Sequence, residues 1–162
     1  MTWDPQTFEE CFRDRYPALV QFLHGLTGDR AAGEDVAQEA FIRLWSRGPT
    51  RRPDADYWLF RVARNLGLDW IKTEARRNKR DHLAAETADG PAFDPEDQAQ
   101  VRRAVTALAP RDREVLLLRE FSEMSYEQIA RVVGRTVNAV KQDLFRAREH
   151  LRRAWQAKCG GQ

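Results

Sequence analysis

Met124-Ser125-Tyr126-Glu127-Gln128-Ile129-Ala130-Arg131-Val132-Val133-Gly134-Arg135-Thr136-Val137-Asn138-Ala139-Val140 is the stretch on which the reading of this chain turns. Ser125 followed three residues later by Gln128 fits a capping box, which starts a helix by satisfying two backbone N–H groups. The pattern predicts a short helix over 125–133, a turn at Gly134 and a second helix over 136–155, which is the helix-turn-helix arrangement. In the second helix Val137, Val140, Leu144, Ala147 and Leu151 align as a buried stripe. Asn138, Gln142, Phe145, Arg146, Glu149 and Arg153 face outward, with Lys141 and Arg148 at the edge. A helix that reads the major groove needs amides or arginines for base edges and cations for phosphates. An exposed Phe145 suits a thymine methyl group. A hairpin packed for structure alone would leave both Phe145 and the basic excess without a reason.

Working outward, the chain reads as all-α. Helices are expected over 5–26, 29–47, 55–79, 95–108 and 111–121 in addition to the pair above, and no segment alternates like a strand. Asp29 and Asp54 can cap helix starts, and Pro110 suits a first helical turn. The stretch Asp81–Pro95 holds Gly90, Pro91, Pro95 and many acids, and reads as an acidic flexible linker. Two small helical domains follow, over 1–80 and 96–157, with a tail at 158–162.

Two more helix faces draw attention. In the helix through residues 34–45, at about 100° per residue, Val36, Ala37, Ala40, Phe41 and Leu44 share one side and Asp35, Gln38 and Glu39 the other. Ile42 falls in the middle of that polar side. It is either an anchor for a partner protein or one of the isolated apolar residues that any surface carries. In the next helix Leu59, Val62, Ala63, Leu66, Trp70 and Ile71 form a buried stripe. Arg61, Asn65, Lys72 and Arg76 line the opposite side, with Arg64 at its margin and Trp58 beside it. Cations, an amide and an aromatic together suit the backbone and unstacked bases of single-stranded nucleic acid. The intervening Ser46–Asp56, with Arg51-Arg52 and two prolines, is a recognition loop or a plain connector.

Charge is distributed to match. The net of +2 conceals blocks of +5 over residues 51–80 and +6 over 131–162, flanking −6 over 81–100. Basic blocks are what phosphate contacts require, although solvated helix faces produce them too. No apolar run approaches the roughly 18 residues of a spanning helix, and Met1–Glu10 does not resemble a secretory signal. Cys11 and Cys159 match no metal or redox spacing, so reduced thiols and a cytoplasmic location are expected. His24, His82 and His150 are scattered and there is no Gly-rich phosphate loop, so no catalytic activity, metal or cofactor is expected.

The ordered set Asp35–Trp45, Trp58-Leu59-Phe60-Arg61-Val62-Ala63-Arg64-Asn65-Leu66 and Leu108–Leu151 resembles the extracytoplasmic-function sigma factors of bacterial RNA polymerase, over nearly the whole chain. The resemblance implies a non-enzymatic initiation factor whose partners are core RNA polymerase, promoter DNA (single-stranded at −10, duplex at −35) and an anti-sigma factor. Relatives' anti-sigma factors are often membrane-bound, which would hold the chain at the inner membrane face without inserting it. By position, Asp35, Gln38, Glu39 and Phe41 would belong to the polymerase-docking segment, to which helical phase adds Ile42. Arg61 and Asn65 would sit beside a flipped-out −10 base, with Gly48–Tyr57 as the wall of its pocket. Lys141, Gln142, Phe145, Arg146 and Arg148 would lie on the −35 helix, with Asn138 beside them. The loop lacks the aromatic often found there in relatives. The family also commonly has a basic residue where Asp143 stands and an apolar one where Arg135 stands. Asp143, at the flank of the outward face, would shift base preference or pair with Lys141 or Arg146. Rival readings are a helix-turn-helix repressor or activator acting without the polymerase, a helical protein whose basic faces bind acidic partners or RNA, and a hydrolase.

Overall fold

In a computed structural model, residues 2–78 and 95–160 are described. They form seven helices and no strand: α1 Pro5–Thr27, α2 Arg30–Arg47, α3 Arg52–Asn78, α4 Pro95–Thr106, α5 Pro110–Phe121, α6 Tyr126–Val133 and α7 Val137–Gly160. The chain divides into two compact units, Met1–Ala88 and Asp89–Gln162. The expected acidic linker lies outside the described residues except for Pro95, which opens α4. Helix α7 continues through Gly160, past the end expected at 155.

The first unit is a three-helix bundle, with α1 packed on both α2 and α3. Asp4 caps α1 by accepting from Thr7 N at 3.0 Å, and Asp29 caps α2 by accepting from Ala32 N at 3.1 Å. Leu19, Phe22 and Leu23 of α1 meet Ala37, Ala40 and Leu44 of α2 and Leu59, Phe60 and Ala63 of α3, all with essentially no exposed surface. The indole of Trp3 closes one end by donating to the Leu44 carbonyl at 3.1 Å. Where α1 and α2 cross, Gly33 is buried, and a Cβ there would stand 3.0 Å from the backbone nitrogen of His24. Alanine is intrinsically the better helix former by about 1 kcal/mol, yet here it would push against backbone that cannot swing aside. Gly33→Ala is therefore expected to lower the thermal midpoint, by an amount corresponding to about 1–3 kcal/mol of overpacking. A raised midpoint in calorimetry would show that the crossing has room for a methyl group.

Helix α3 begins at Arg52, earlier than expected. Pro53 is tolerated there because N–H groups in a first turn have no intrahelical acceptor, and Asp54 sits within that turn instead of capping it. Ion pairs tie this start to α1: Arg15 to Asp56 at 2.8 Å and Arg52 to Asp14 at 3.3 Å. The supposed pocket wall Gly48–Tyr57 is thus loop only up to Arg51.

The second unit packs α5 and α6 on α7, with α4 also against α7. Val115 and Leu118 of α5, Ile129 of α6 and Val140, Leu144 and Ala147 of α7 form its centre, and Met124 is buried with them. The capping box is formed in full: Ser125 Oγ accepts from Gln128 N at 3.2 Å, and Gln128 Oε1 accepts from Ser125 N at 3.0 Å. Gly134 takes φ 71°, the left-handed conformation that lets the chain turn sharply out of α6. Thr136 Oγ1 then accepts from Ala139 N at 3.1 Å at the start of α7.

Candidate nucleic-acid interface

On α2, Asp35, Gln38, Glu39 and Ile42 are all exposed, Ile42 by 60%. Glu39 accepts from Arg43 at 2.9 Å, one helical turn on, and Trp45, 47% exposed, continues the apolar edge. Phe41 differs from the expectation that came with its position. It is 3% exposed and meets the rings of Phe8 and Phe12, with centroids 6.1 Å and 4.8 Å away. Periodicity already put it with Ala37, Ala40 and Leu44. It supports the segment from beneath, and cannot itself touch a partner docked on the outer face.

On α3, Arg61, Asn65, Lys72 and Arg76 form one exposed face, with Trp58 and Arg64 half-buried beside it. Arg64 Nη1 donates to Asn65 Oδ1 at 3.2 Å. With its oxygen engaged, the Asn65 amide is set to offer its N–H₂ donors outward. The Arg61 guanidinium lies over the Tyr57 ring, 6.0 Å from its centroid. Tyr57 is a half-buried aromatic absent from the residues singled out by sequence. Its spacing of one helical turn from Arg61, within the helix expected over 55–79, was the available signal.

On α7, Asn138, Lys141, Gln142, Phe145, Arg146 and Arg148 are all exposed, Phe145 by 68%. Lys141 Nζ lies 5.8 Å from the centre of the Tyr126 ring, which Arg119 approaches to 4.5 Å. The pairings of Arg146 were not expected in full. It donates to Asp112 of α5 (Nη2 to Oδ1 at 3.2 Å) and also to Asp143, and the hydrogen bond to Asp112 is the main influence raising its pKa further.

Asp143 requires a correction. It does not lie at the flank of the outward face but is fully buried. At about 100° per residue it falls within roughly 60° of the Val140–Ala147 line, close enough to be carried under the surface. Among the described residues its partners are arginines: Arg146, Arg135 at 3.3 Å and Arg111 at 3.9 Å. Arg135 and Asp143 are thus each other's partners.

Residues 11–77 match the family Sigma-70 region 2, and residues 98–151 match Sigma-70, region 4. The RNA polymerase sigma-H factor of Pseudomonas aeruginosa is 34% identical, over 85% of this chain and 78% of its own length. The chain belongs to the extracytoplasmic-function RNA polymerase sigma factors. A probable RNA polymerase sigma factor of Xanthomonas campestris, RfaY, is 37% identical over 78% of the chain, which spans only 35% of that longer relative. Among solved structures, the sigma factor RpoE of Bartonella quintana, crystallised with the anti-sigma factor NepR, superposes with a TM-score of 0.75 at 25% identity, over 92% of this chain and 96% of that one. As a sigma factor the protein is a transcription initiation factor and not an enzyme. Among the described residues no helix is long and apolar enough to cross a membrane.

Proposed function

We propose that this sigma factor divides promoter recognition between its two units. Asp35, Gln38, Glu39 and Ile42 dock on core RNA polymerase. The α3 face of Trp58, Arg61, Arg64, Asn65, Lys72 and Arg76 captures unpaired −10 bases. Asn138, Lys141, Gln142 and Phe145, flanked by Arg146 and Arg148, read the −35 duplex. One observation carries this reading. The two most exposed large apolar side chains among the described residues, Ile42 and Phe145, lie one in each unit, each ringed by polar groups. Exposing such side chains singly has no structural benefit, and each gains by burial against a partner of matching chemistry.

Melting then needs no nucleotide hydrolysis, because capture of single-stranded bases offsets the few kcal/mol lost per opened base. The domains are 1–80 for docking and −10 recognition and 96–157 for −35 recognition. The acidic stretch 81–95 spans the distance between the promoter elements and lies in the polymerase's basic channel as a mimic of nucleic acid. The place of action is the cytoplasm. The anti-sigma factor bound to the structurally similar RpoE supports a partner of that kind here; a membrane-bound one would hold the chain at the inner membrane face until its release.

The test is run-off transcription with purified chain and core polymerase on fragments of the neighbouring chromosome. Failure to bind core would overturn the proposal. Within the same assay, Phe145→Ala is expected to lower −35-dependent initiation about tenfold, as for the loss of a contact of 1–3 kcal/mol. Core binding should be unchanged. Wild-type activity of the variant on a template that carries the −35 element, with the wild-type dependence on that element kept, would remove Phe145 from the base-reading contacts.

A further inference from the structure

The surroundings of Asp143 hold more positive charge than its burial requires. A fully buried carboxylate must be paired, and the hydrogen bond from Arg146 already provides a pair. Two further guanidiniums nevertheless converge on it. Arg111 comes from the first turn of α5 and Arg135 from the turn that leads into α7. Asp143 Oδ2 is buried and accepts no hydrogen bond among the described residues. Arg135, with Nε 3.3 Å from that oxygen, is therefore held by charge and not by a directed bond. Counting Asp112, which shares Arg146, three cations surround two carboxylates, and one positive charge is left over. The surplus is not sealed in. The side chain of Arg111 is 58% exposed and that of Arg146 44%, while Arg135 at 29% is the most enclosed. The cluster also adjoins the start of α7, whose outer face carries Asn138, Lys141, Gln142 and Phe145.

We propose that Asp143 is a positioning residue that gathers Arg111, Arg135 and Arg146 into a clamp for one backbone phosphate of duplex DNA, beside the base-reading face of α7. The proposal rests on the reading of α7 as the −35 helix and adds Arg111 and Arg135 to its DNA contacts. Guanidinium forks match phosphate oxygens in geometry as well as charge. Holding three of them in place beforehand removes the cost of ordering long side chains when DNA arrives.

The sign of one substitution decides between positioning and neutralisation. Asp143→Asn removes a negative charge from a DNA-facing region, so simple electrostatics predicts tighter binding. If Asp143 positions the clamp, binding weakens. The measurement is fluorescence anisotropy of the full chain on a labelled 30-base-pair duplex of random sequence, titrated at several salt concentrations. We expect Asp143→Asn to bind about fivefold more weakly, and Arg111→Gln to lower the slope of log K against log salt by about 0.9, the value for one phosphate contact. Arg111→Gln should add little further loss when combined with Asp143→Asn, as coupled positions do. Tighter or unchanged binding by Asp143→Asn overturns the proposal. Should circular dichroism show that this variant does not fold, Arg111→Gln and Arg135→Gln decide alone, and an unaltered salt slope in both overturns it. Wild-type chain that binds no duplex at low salt would fail the −35 reading itself, whereas normal binding with unaltered slopes fails the clamp only.

Discussion

Replacing Ile42 with aspartate is expected to cut affinity for core RNA polymerase on the order of 100-fold while leaving the protein folded. Ile42 is 60% exposed on α2 and contributes little to the bundle, whose core is formed from the opposite side of that helix. Burying an isoleucine against a partner is worth about 1.5–3 kcal/mol. A carboxylate carried into the same contact loses that gain and adds a desolvation cost. The neighbours Asp35, Gln38 and Glu39 sharpen the effect, since a further acid among them repels its own side of the interface. Surface plasmon resonance with immobilised core polymerase reads the loss, and far-ultraviolet circular dichroism checks that the helices survive. Ser46→Ala is a suitable control, because its hydroxyl only returns to the Ile42 carbonyl at 2.8 Å. Wild-type affinity in Ile42→Asp would mean that the polymerase is held elsewhere and that Ile42 is an ordinary surface residue.

Phe41, next to it, shows why helical phase and family position have to be weighed separately. Position in the resembling segment grouped Phe41 with Asp35, Gln38 and Glu39, whereas the 3.6-residue period put it in the core. The structure agrees with the period. The same kind of reasoning reached most of the fold, because its helices carry strong local signals: Asp29, Pro110 and the Ser125–Gln128 box mark starts, and Gly134 marks a stop. It did less well where long-range pairing sets the outcome. The early start of α3 depends on ion pairs to residues of α1 that are about 40 positions away, such as Arg15 with Asp56. Asp143 is a second case. Its charge argued for the surface, and only the convergence of arginines from α5, the turn and α7 makes its burial tolerable. Neither arrangement leaves a periodic trace along the chain. The exposed faces were legible for a related reason: Ile42, Asn65 and Phe145 each lie opposite a continuous apolar stripe, and the stripe determines which way they point.

The α3 face offers the sharpest test of melting. Arg61→Ala combined with Asn65→Ala is expected to reduce run-off transcription from a fully paired promoter by about 100-fold while core binding stays at the wild-type level. Opening one base-pair step costs roughly 1.4 kcal/mol in lost stacking, and capture of an unstacked base by such a face returns about 1–3 kcal/mol. Asn65 presents its amide in a set orientation because Arg64 holds its oxygen at 3.2 Å, and Arg61 is steadied by the Tyr57 ring. Removing both side chains therefore removes about 1–3 kcal/mol of the energy that offsets melting. Neither residue belongs to the buried stripe of α3, so the bundle is expected to keep its thermal midpoint. A template with the −10 element already unpaired, made by annealing mismatched strands, separates capture from every other step. With the melting cost removed in advance, the double variant should regain at least tenfold of its lost activity. If it is as defective on the open template as on the closed one, the defect lies outside melting. If it transcribes the closed template normally, the bases are held by other residues.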